Sequence, residues 1–255
     1  MILTLDVALK TMSICIASCS NKKDLTTYSI HLWDVYNILE EDNHLCKSIQ
    51  KNKKSCEKKC TFKYKSETDE YIYTCKKHFP KDKTIEKSNN HKQKIIKDYL
   101  LQDIVKAVIT KIQQIYNDNL ELFTQLTDII IELQPKVNNS MKMVSHVIYT
   151  KFTDLFMETN TKIKFVRASQ KLKAYTGPEI VCKLKGAYPR RKWLSVQYTR
   201  WFLENKFSIE QKDKWLNNFL ECRKGDDRAD TCLMMINFLY GVSKKQKMNF
   251  KKVNI

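Results

Sequence analysis

Two sets of side chains have the types and spacing to do chemistry. The first is acidic. Asp6 interrupts an apolar run, Ile2-Leu3-Thr4-Leu5-Asp6-Val7-Ala8, and Glu132 interrupts another, Ile129-Ile130-Ile131-Glu132-Leu133. Asp227 and Asp230 lie three apart at the start of a helical stretch and so share one face. Asp226 precedes them, after Gly225, where it could cap the helix. A carboxylate on a central strand is costly unless it is paired or bound to metal. Two strand acids and a helical pair can converge only if the strands are adjacent and the helix packs across them. Such a cluster is unstable alone and favourable around divalent cations, and hard oxygen ligands select Mg²⁺ or Mn²⁺. Each acid also has a plain account: Asp6 on the solvent side of its strand, Glu132 paired with a buried Lys, the three Asp complementing a helix N-terminus.

The second set is soft. Of nine Cys, four crowd between Cys46 and Cys75, and His78 follows closely. Cys75-Lys76-Lys77-His78 has zinc-knuckle spacing, and Cys56 lies a plausible loop away. The fourth ligand is Cys46 or, with Cys56-x3-Cys60 as the rival spacing, Cys60. Thiolates select Zn²⁺ over Mg²⁺, and a closed four-ligand site for one Zn²⁺ is structural. The alternative is reduced thiols in a disordered loop. Cys15, Cys19, Cys182, Cys222 and Cys232 are scattered in apolar contexts and read as buried thiols. His31, His44, His91 and His146 are isolated and receive no role.

These groups need elements to position them. Alternation predicts strands over 1–9, 12–19 and 27–35, an antiparallel meander. The continuous apolar run 129–133 predicts a strand buried on both faces in parallel pairing, ended by Pro135, and 163–166 a further short strand. Helical spacing predicts a helix over 93–118, with Ile96, Leu100, Ile104, Val108 and Ile112 on one face. Further helices are expected over 141–157, 191–205, 209–220 and 228–240, the third of these opened by a Ser208-Ile209-Glu210-Gln211 capping box. That order is α/β with a mixed five-strand sheet flanked by helices. Residues 41–92 differ: fourteen Lys, eight acids and three of the five His, with little periodic hydrophobicity. They read as a small zinc-binding insertion whose metal supplies the folding energy its apolar content lacks. The expected domains are therefore 1–40 with 93–243, the insert 41–92, and a basic tail 244–255.

Composition narrows the function classes. At 255 residues and 42% hydrophobic the chain can bury a real core, which excludes disorder throughout. No stretch approaches the roughly 18 apolar residues of a membrane span, and no secretory signal is visible. An intracellular, non-secreted protein with reduced thiols is expected. Lys+Arg 46 against Asp+Glu 28 gives a net charge of +18, which calls for an acidic partner, nucleic acid first and an anionic membrane surface second. Ten Lys/Arg against one acid fall between Lys162 and Lys192, and five Lys with no acid between Lys244 and Lys252. A charge run can also be a solvated face, and a lysine-rich composition can reflect an AT-rich genome.

Leu3-Thr4-Leu5-Asp6-Val7-Ala8, Ile130-Ile131-Glu132-Leu133-Gln134-Pro135 and Lys224-Gly225-Asp226-Asp227-Arg228-Ala229-Asp230-Thr231 resemble the three acidic motifs of RuvC-like Holliday junction resolvases. The resemblance is to those of poxviruses and other large DNA viruses, and of fungal mitochondria. Val166-Arg167-Ala168-Ser169 and Tyr188-Pro189-Arg190-Arg191-Lys192 resemble the viral members too, while Ala8 stands where the family usually has Gly. The resemblance implies an RNase H-like fold and symmetric incision of four-way DNA junctions by a homodimer, in recombination, repair or viral genome processing. For a viral member it implies the host cytoplasm (viral factories) or nucleus. It places Asp6, Glu132, Asp227 and Asp230 around two Mg²⁺ (or Mn²⁺) ions, with Asp226 against Asp227 left open. Phosphate contacts are assigned by location to Lys171, Lys173, Lys185, Arg190, Arg191 and Lys192, with Tyr188 and Trp193 available to stack on opened bases. Cys-x9-Cys followed by Cys-x2-His resembles a small zinc motif of large DNA viruses, which favours Cys46. The alternatives are another RNase H-like nuclease, acting on RNA/DNA hybrids or in repair, and a non-catalytic zinc-containing DNA-binding protein.

Overall fold

A computed structural model of the chain describes residues 1–39, 44–49, 54–91, 95–134, 138–222 and 224–241. In chain order the elements are β1 (Ile2–Val7), β2 (Thr11–Cys19), β3 (Tyr28–Asn37), β4 (Phe62–Lys65), β5 (Tyr71–Thr74), α1 (Leu101–Asp118), α2 (Leu120–Phe123), β6 (Asp128–Leu133), α3 (Asn139–Leu155), β7 (Lys162–Arg167), α4 (Ala187–Asn205), α5 (Ile209–Glu221) and α6 (Gly225–Leu239). Contacts divide them into two units, Met1–Leu39 with the chain from Leu101 onward, and Glu40–Leu100.

The larger unit is built on a mixed five-stranded sheet in the order β3-β2-β1-β6-β7, the class the sequence implies. The first three strands form the antiparallel meander, and β6 runs parallel to both β1 and β7. Both faces of β1 are covered: Leu3, Leu5 and Val7 are buried, and so is Thr4 between them. Helix α1 buries Ile104, Val108, Ile112 and Ile115. Helix α3 packs against α1, β6 and β7 and buries Val144, Ile148 and Phe152. On the other core, Ala229, Cys232, Leu233, Met235 and Ile236 of α6 cluster with Ile2, Cys15, Ala17 and Trp33 of the sheet and Phe202 of α4. Trp33 stacks on Phe219 at 5.2 Å and donates from Nε1 to the Arg228 carbonyl at 3.0 Å, which ties β3 to α5 and α6. Truncating a buried aromatic such as Trp33 to Ala costs about 3–5 kcal/mol. The polar side of α6 is fastened to the strands by Thr4 Oγ1 donating to the Thr231 carbonyl at 2.8 Å. This bond fixes the helix at the height of Asp6, two residues further along β1.

Three expectations need correction. Helix α1 begins at Leu101 rather than 93. Asp98 accepts from the Ile95 N–H at 2.8 Å in a local 3-10 turn, an arrangement that competes with helix, and Leu100 is exposed. The division between units accordingly falls at Leu100, past residue 92. Helix α4 starts at Ala187, earlier than 191, because Gly186 at φ +91° turns the chain in and Pro189 fits the first turn. Lys224, not Asp226, holds the N-cap position of α6. Pro135, residues 93–94, and Lys244–Lys252 of the basic tail lie outside the described residues. Asn138 and Ser208 do cap α3 and α5, accepting from Met141 N–H at 3.0 Å and Gln211 N–H at 3.3 Å.

The smaller unit contains a hairpin that periodicity did not reveal, β4 paired antiparallel with β5. Single bridges Leu45↔Lys59 and Ile49↔Ser55 fold the preceding chain back on itself. Glu57, at φ +51°, makes the tight turn between Cys56 and Cys60. His44 and His91 are not isolated: His44 stacks on Tyr73 at 3.4 Å, and His91 meets the same ring edge-on at 4.8 Å.

Candidate functional site

The register of the sheet brings the two strand acids together. The parallel ladder between β1 and β6 ends at Leu5↔Ile131, and the next residues are Asp6 and Glu132. Helix α6 supplies the third carboxylate. Oxygens of Asp6, Glu132 and Asp230 lie within 4.8 Å of one another. Three anions this close repel. Burial, then the Glu132 charge, pushes the Asp6 carboxyl well above the ordinary range, with Asp230 and Asp227 adding to the push. Glu132 is raised by burial as well, although Lys171 opposes the shift.

Lys171 is the counter-charge within the cluster. Its Nζ lies 2.7 Å from Glu132 Oε2 and 2.6 Å from Asp230 Oδ2. Burial would draw its ammonium down, but Glu132, Asp230 and Asp6 hold it above the usual range. The sequence grouped Lys171 with exposed phosphate contacts. The structure buries it instead, because the 3-10 segment Ala168–Ala174 packs against α6 and carries the side chain between the acids. The plain account of Glu132, an ion pair with a buried Lys, is thus realised and coexists with the cluster. Sequence reasoning considered such a partner without naming it, since a lysine in a basic run carries no local sign of burial. One ammonium does not satisfy all the oxygens: Asp230 Oδ1 is buried with no hydrogen-bond partner among the described residues.

Asp226 and Asp227 point to different partners. Asp226 turns to α4 and bonds Lys192 Nζ, whose hydrogen bond and charge outweigh burial and hold the carboxyl below its usual value. Asp227 stays at the rim of the acidic cluster, accepting from Thr11 Oγ1 at 3.4 Å, with Lys192 and Lys224 at 3.8 and 3.9 Å. Burial and then Asp226 raise it. Three of the four acids expected to hold metal therefore converge, with Asp227 one helical turn before Asp230. Of the basic residues assigned to phosphate, Lys185, Arg190 and Arg191 are exposed, and Lys173 and Lys192 are half-buried. The Arg191 charge reaches Glu132. Tyr188 is exposed beneath Lys192, whose Nζ stands 5.3 Å from the ring centre, and Trp193 is half-buried in a cleft between α4, α5 and α6.

The soft ligands form a second centre, in the smaller unit. Cys46, Cys56, Cys75 and His78 bring their ligand atoms within 4.8 Å of one another. A tetrahedral site with Zn–S of about 2.3 Å and Zn–N of about 2.0–2.1 Å requires S···S near about 3.8 Å and S···N near about 3.5 Å. The separations are 3.8 Å between Cys56 and Cys75, 3.4 Å from Cys46 to His78 Nδ1, and 3.5 Å from Cys75 to the same nitrogen. Burial pushes the Cys46 thiol up, but hydrogen bonds involving Ser48, the Cys75 backbone and His78 outweigh it and bring it to about 6. Cys60 lies outside the group, and burial with the neighbouring thiols raises it to about 11. Of the two candidates for the fourth ligand, Cys46 is the one whose sulfur lies with the other three donor atoms.

No family model matches the chain. A curated relative, the uncharacterized protein L451 of Acanthamoeba polyphaga mimivirus, is 28% identical over 251 residues, covering 90% of this chain. The chain spans 58% of that relative's length. Among solved structures, the chain resembles fowlpox virus resolvase, determined with Holliday junction DNA, at a TM-score of 0.43 and 14% identity, over 93% of this chain and 97% of that one. It also resembles Thermus thermophilus RuvC at 0.42 and 8%, over 94% and 96% of the two chains.

Proposed function

We propose that the protein is a divalent-metal-dependent endonuclease that cuts four-way DNA junctions. The observation that carries this reading is the meeting of Asp6, Glu132 and Asp230, from three separate elements, with one buried carboxylate oxygen that has no hydrogen-bond partner among the described residues. A core that brings anions together at the end of a parallel ladder gains nothing in stability from doing so. All the donors are carboxylate oxygens, which suits Mg²⁺ or Mn²⁺. Asp6, Glu132, Asp230 and Asp227 would hold two such ions, whose chemistry is to activate water and neutralise charge on the leaving 3′-oxygen. Incision of this type leaves a 5′-phosphate and a 3′-hydroxyl.

The chain's own groups supply the rest. Lys171 keeps the acids together and orients Glu132 and Asp230. Asp226 holds Lys192 at the entrance, and Arg191 stands near Glu132, so a phosphodiester approaching from that side meets cations before it meets the acids. Lys173, Lys185 and Arg190 extend the positive approach. Two symmetric incisions call for a homodimer. Cys46, Cys56, Cys75 and His78 hold one structural Zn²⁺. Among the described residues no helix is long and apolar enough to cross a membrane.

A second reading is favoured by Lys171, which already neutralises much of the cluster: a nucleic-acid-binding protein that does not cut. The test is incubation of the protein with a synthetic four-way junction and Mg²⁺ or Mn²⁺, with linear duplex and RNA/DNA hybrid as controls. Junction-specific, metal-dependent incision is expected. Asp227→Asn should lower the rate by about 10³-fold, the scale of losing one charge-stabilising group, while junction binding persists. A variant that cuts at the wild-type rate, or cutting only of the hybrid, overturns the junction reading. Binding without incision of any substrate supports the second.

A further inference from the structure

The Cys/His unit carries a feature that the acidic centre does not use. A cleft of about 470 Å³ is lined by Lys58, Lys59, Thr61, Cys75, Lys76 and Lys77, four cations and no acid. All four lysines are exposed, and among the described residues none of them is in an ion pair. Their placement follows from the ligands. Lys58 and Lys59 sit in the turn between Cys56 and Cys60, and Lys76 and Lys77 form the short turn between Cys75 and His78. The Cys56 and Cys75 sulfurs stand 3.8 Å apart, so the two turns lie side by side, and all four lysines line the one cleft. The hydrogen bond from Cys46 N–H to the Lys58 carbonyl at 2.8 Å fixes the first turn further. Glu57 shares the first turn but does not line the cleft, and four like charges lining it are costly unless something anionic offsets them.

We propose that this cleft binds the phosphodiester backbone of nucleic acid, so that the insert is a second binding surface assembled by its own metal ligands. The inference rests on the reading of the chain as a nucleic-acid enzyme, but not on incision. Lysines act as point charges that seat phosphates without reading bases. The expected contribution is therefore affinity for any duplex arm, with no change in cleavage position. The surplus of fourteen Lys over eight acids in 41–92 has the same sign. A competing role is local: the lysines could merely offset the thiolate charge of the Cys/His centre.

The test uses the full chain bearing K58A, K59A, K76A and K77A together, with an all-Arg version of the same positions beside it. Binding to a four-way junction and to linear duplex is followed by fluorescence anisotropy across a salt series, in Ca²⁺ in place of Mg²⁺, and bound zinc is quantified in each variant. Removing one lysine that neutralises a phosphate should lower the slope of log K against log[salt] by about 0.9. The Ala variant should thus lose about 2–4 in slope and about 10–100-fold in affinity on both substrates near physiological salt, with zinc retained. The Arg variant should bind like wild type. An Ala variant that keeps zinc, affinity and slope overturns the proposal. So does one whose only change is weakened zinc binding, which assigns the lysines to the thiolates. Failure of the wild type to cut DNA while it shows the predicted loss on substitution overturns the nuclease reading and leaves this one standing.

Discussion

The molecule has two clusters of side chains of the kinds that bind metal ions, built in opposite ways. The acidic ligands come from residues 6, 132 and 230, and only the packing of β1, β6 and α6 brings them together. The soft ligands come from Cys46, Cys56, Cys75 and His78, close in sequence and carried on turns and a two-stranded hairpin. The acidic cluster sits on a finished hydrophobic core that would exist without it. The buried hydrophobic cluster around the Cys/His centre consists of Cys46, Cys56, Cys60 and Cys75, with Tyr73 packed against it, so the ligands are themselves the core. One cluster is added to a core built from other side chains, and the other makes up most of the core of its own unit.

The sharpest way to break this contrast is to remove one soft ligand. Cys75→Ser should abolish zinc binding and unfold the unit of residues 44–91, since a structural zinc supplies on the order of 10 kcal/mol of folding free energy. The larger unit should remain intact. Limited proteolysis with mass spectrometry reads this directly: cuts confined to the insert support the contrast, and loss of the whole chain refutes it. Cys60→Ser, which spares the four-ligand group, should keep zinc.

A smaller effect is expected at the acidic cluster. Lys171→Met removes the ammonium between Glu132 and Asp230 and leaves buried like charges uncompensated, which costs about 3–5 kcal/mol. Thermal unfolding in chelator should show the loss, and Mg²⁺ should restore part of it. A variant as stable as wild type in chelator would mean that the acids do not depend on Lys171.

The smallest effect belongs to the outer end of the same strand. Asp128 Oδ1 lies 2.9 Å from Lys164 Nζ, a partly exposed pair. Burial alone would raise the Asp128 carboxyl, but Lys164's hydrogen bond and charge outweigh it and hold the carboxyl below its ordinary value. Its stabilising contribution is therefore present above the unfolded carboxyl value, near about pH 4, and is lost as pH falls through the lower folded value. Asp128→Asn should cost less than about 1 kcal/mol at neutral pH and nothing once both forms are protonated. Denaturant titrations of the two proteins at neutral and acid pH check this. A loss as large as that of Lys171→Met would erase the distinction between a surface pair and the buried cluster.

Much of this was legible in the residues. The alternation of β1, the unbroken apolar run of β6 and the acids interrupting both are local patterns, and they set the sheet and the strand carboxylates. The Cys-x2-His spacing did the same for half of the soft centre. Tertiary structure decided three things that spacing leaves degenerate. Cys46 rather than Cys60 joins Cys56, Cys75 and His78, because backbone bridges such as Leu45↔Lys59 set which sulfur reaches the others. Asp226 and Asp227 are neighbours of one type, and helical rotation alone sends one to Lys192 on α4 and leaves the other beside the strand acids. Lys171 looks like any other cation in its run, yet packing against α6 carries it into the acids. Sequence determines which side chains are costly to bury, because that depends on their own chemistry. Which partner relieves the cost depends on distance in space, and that exists only once the chain has folded.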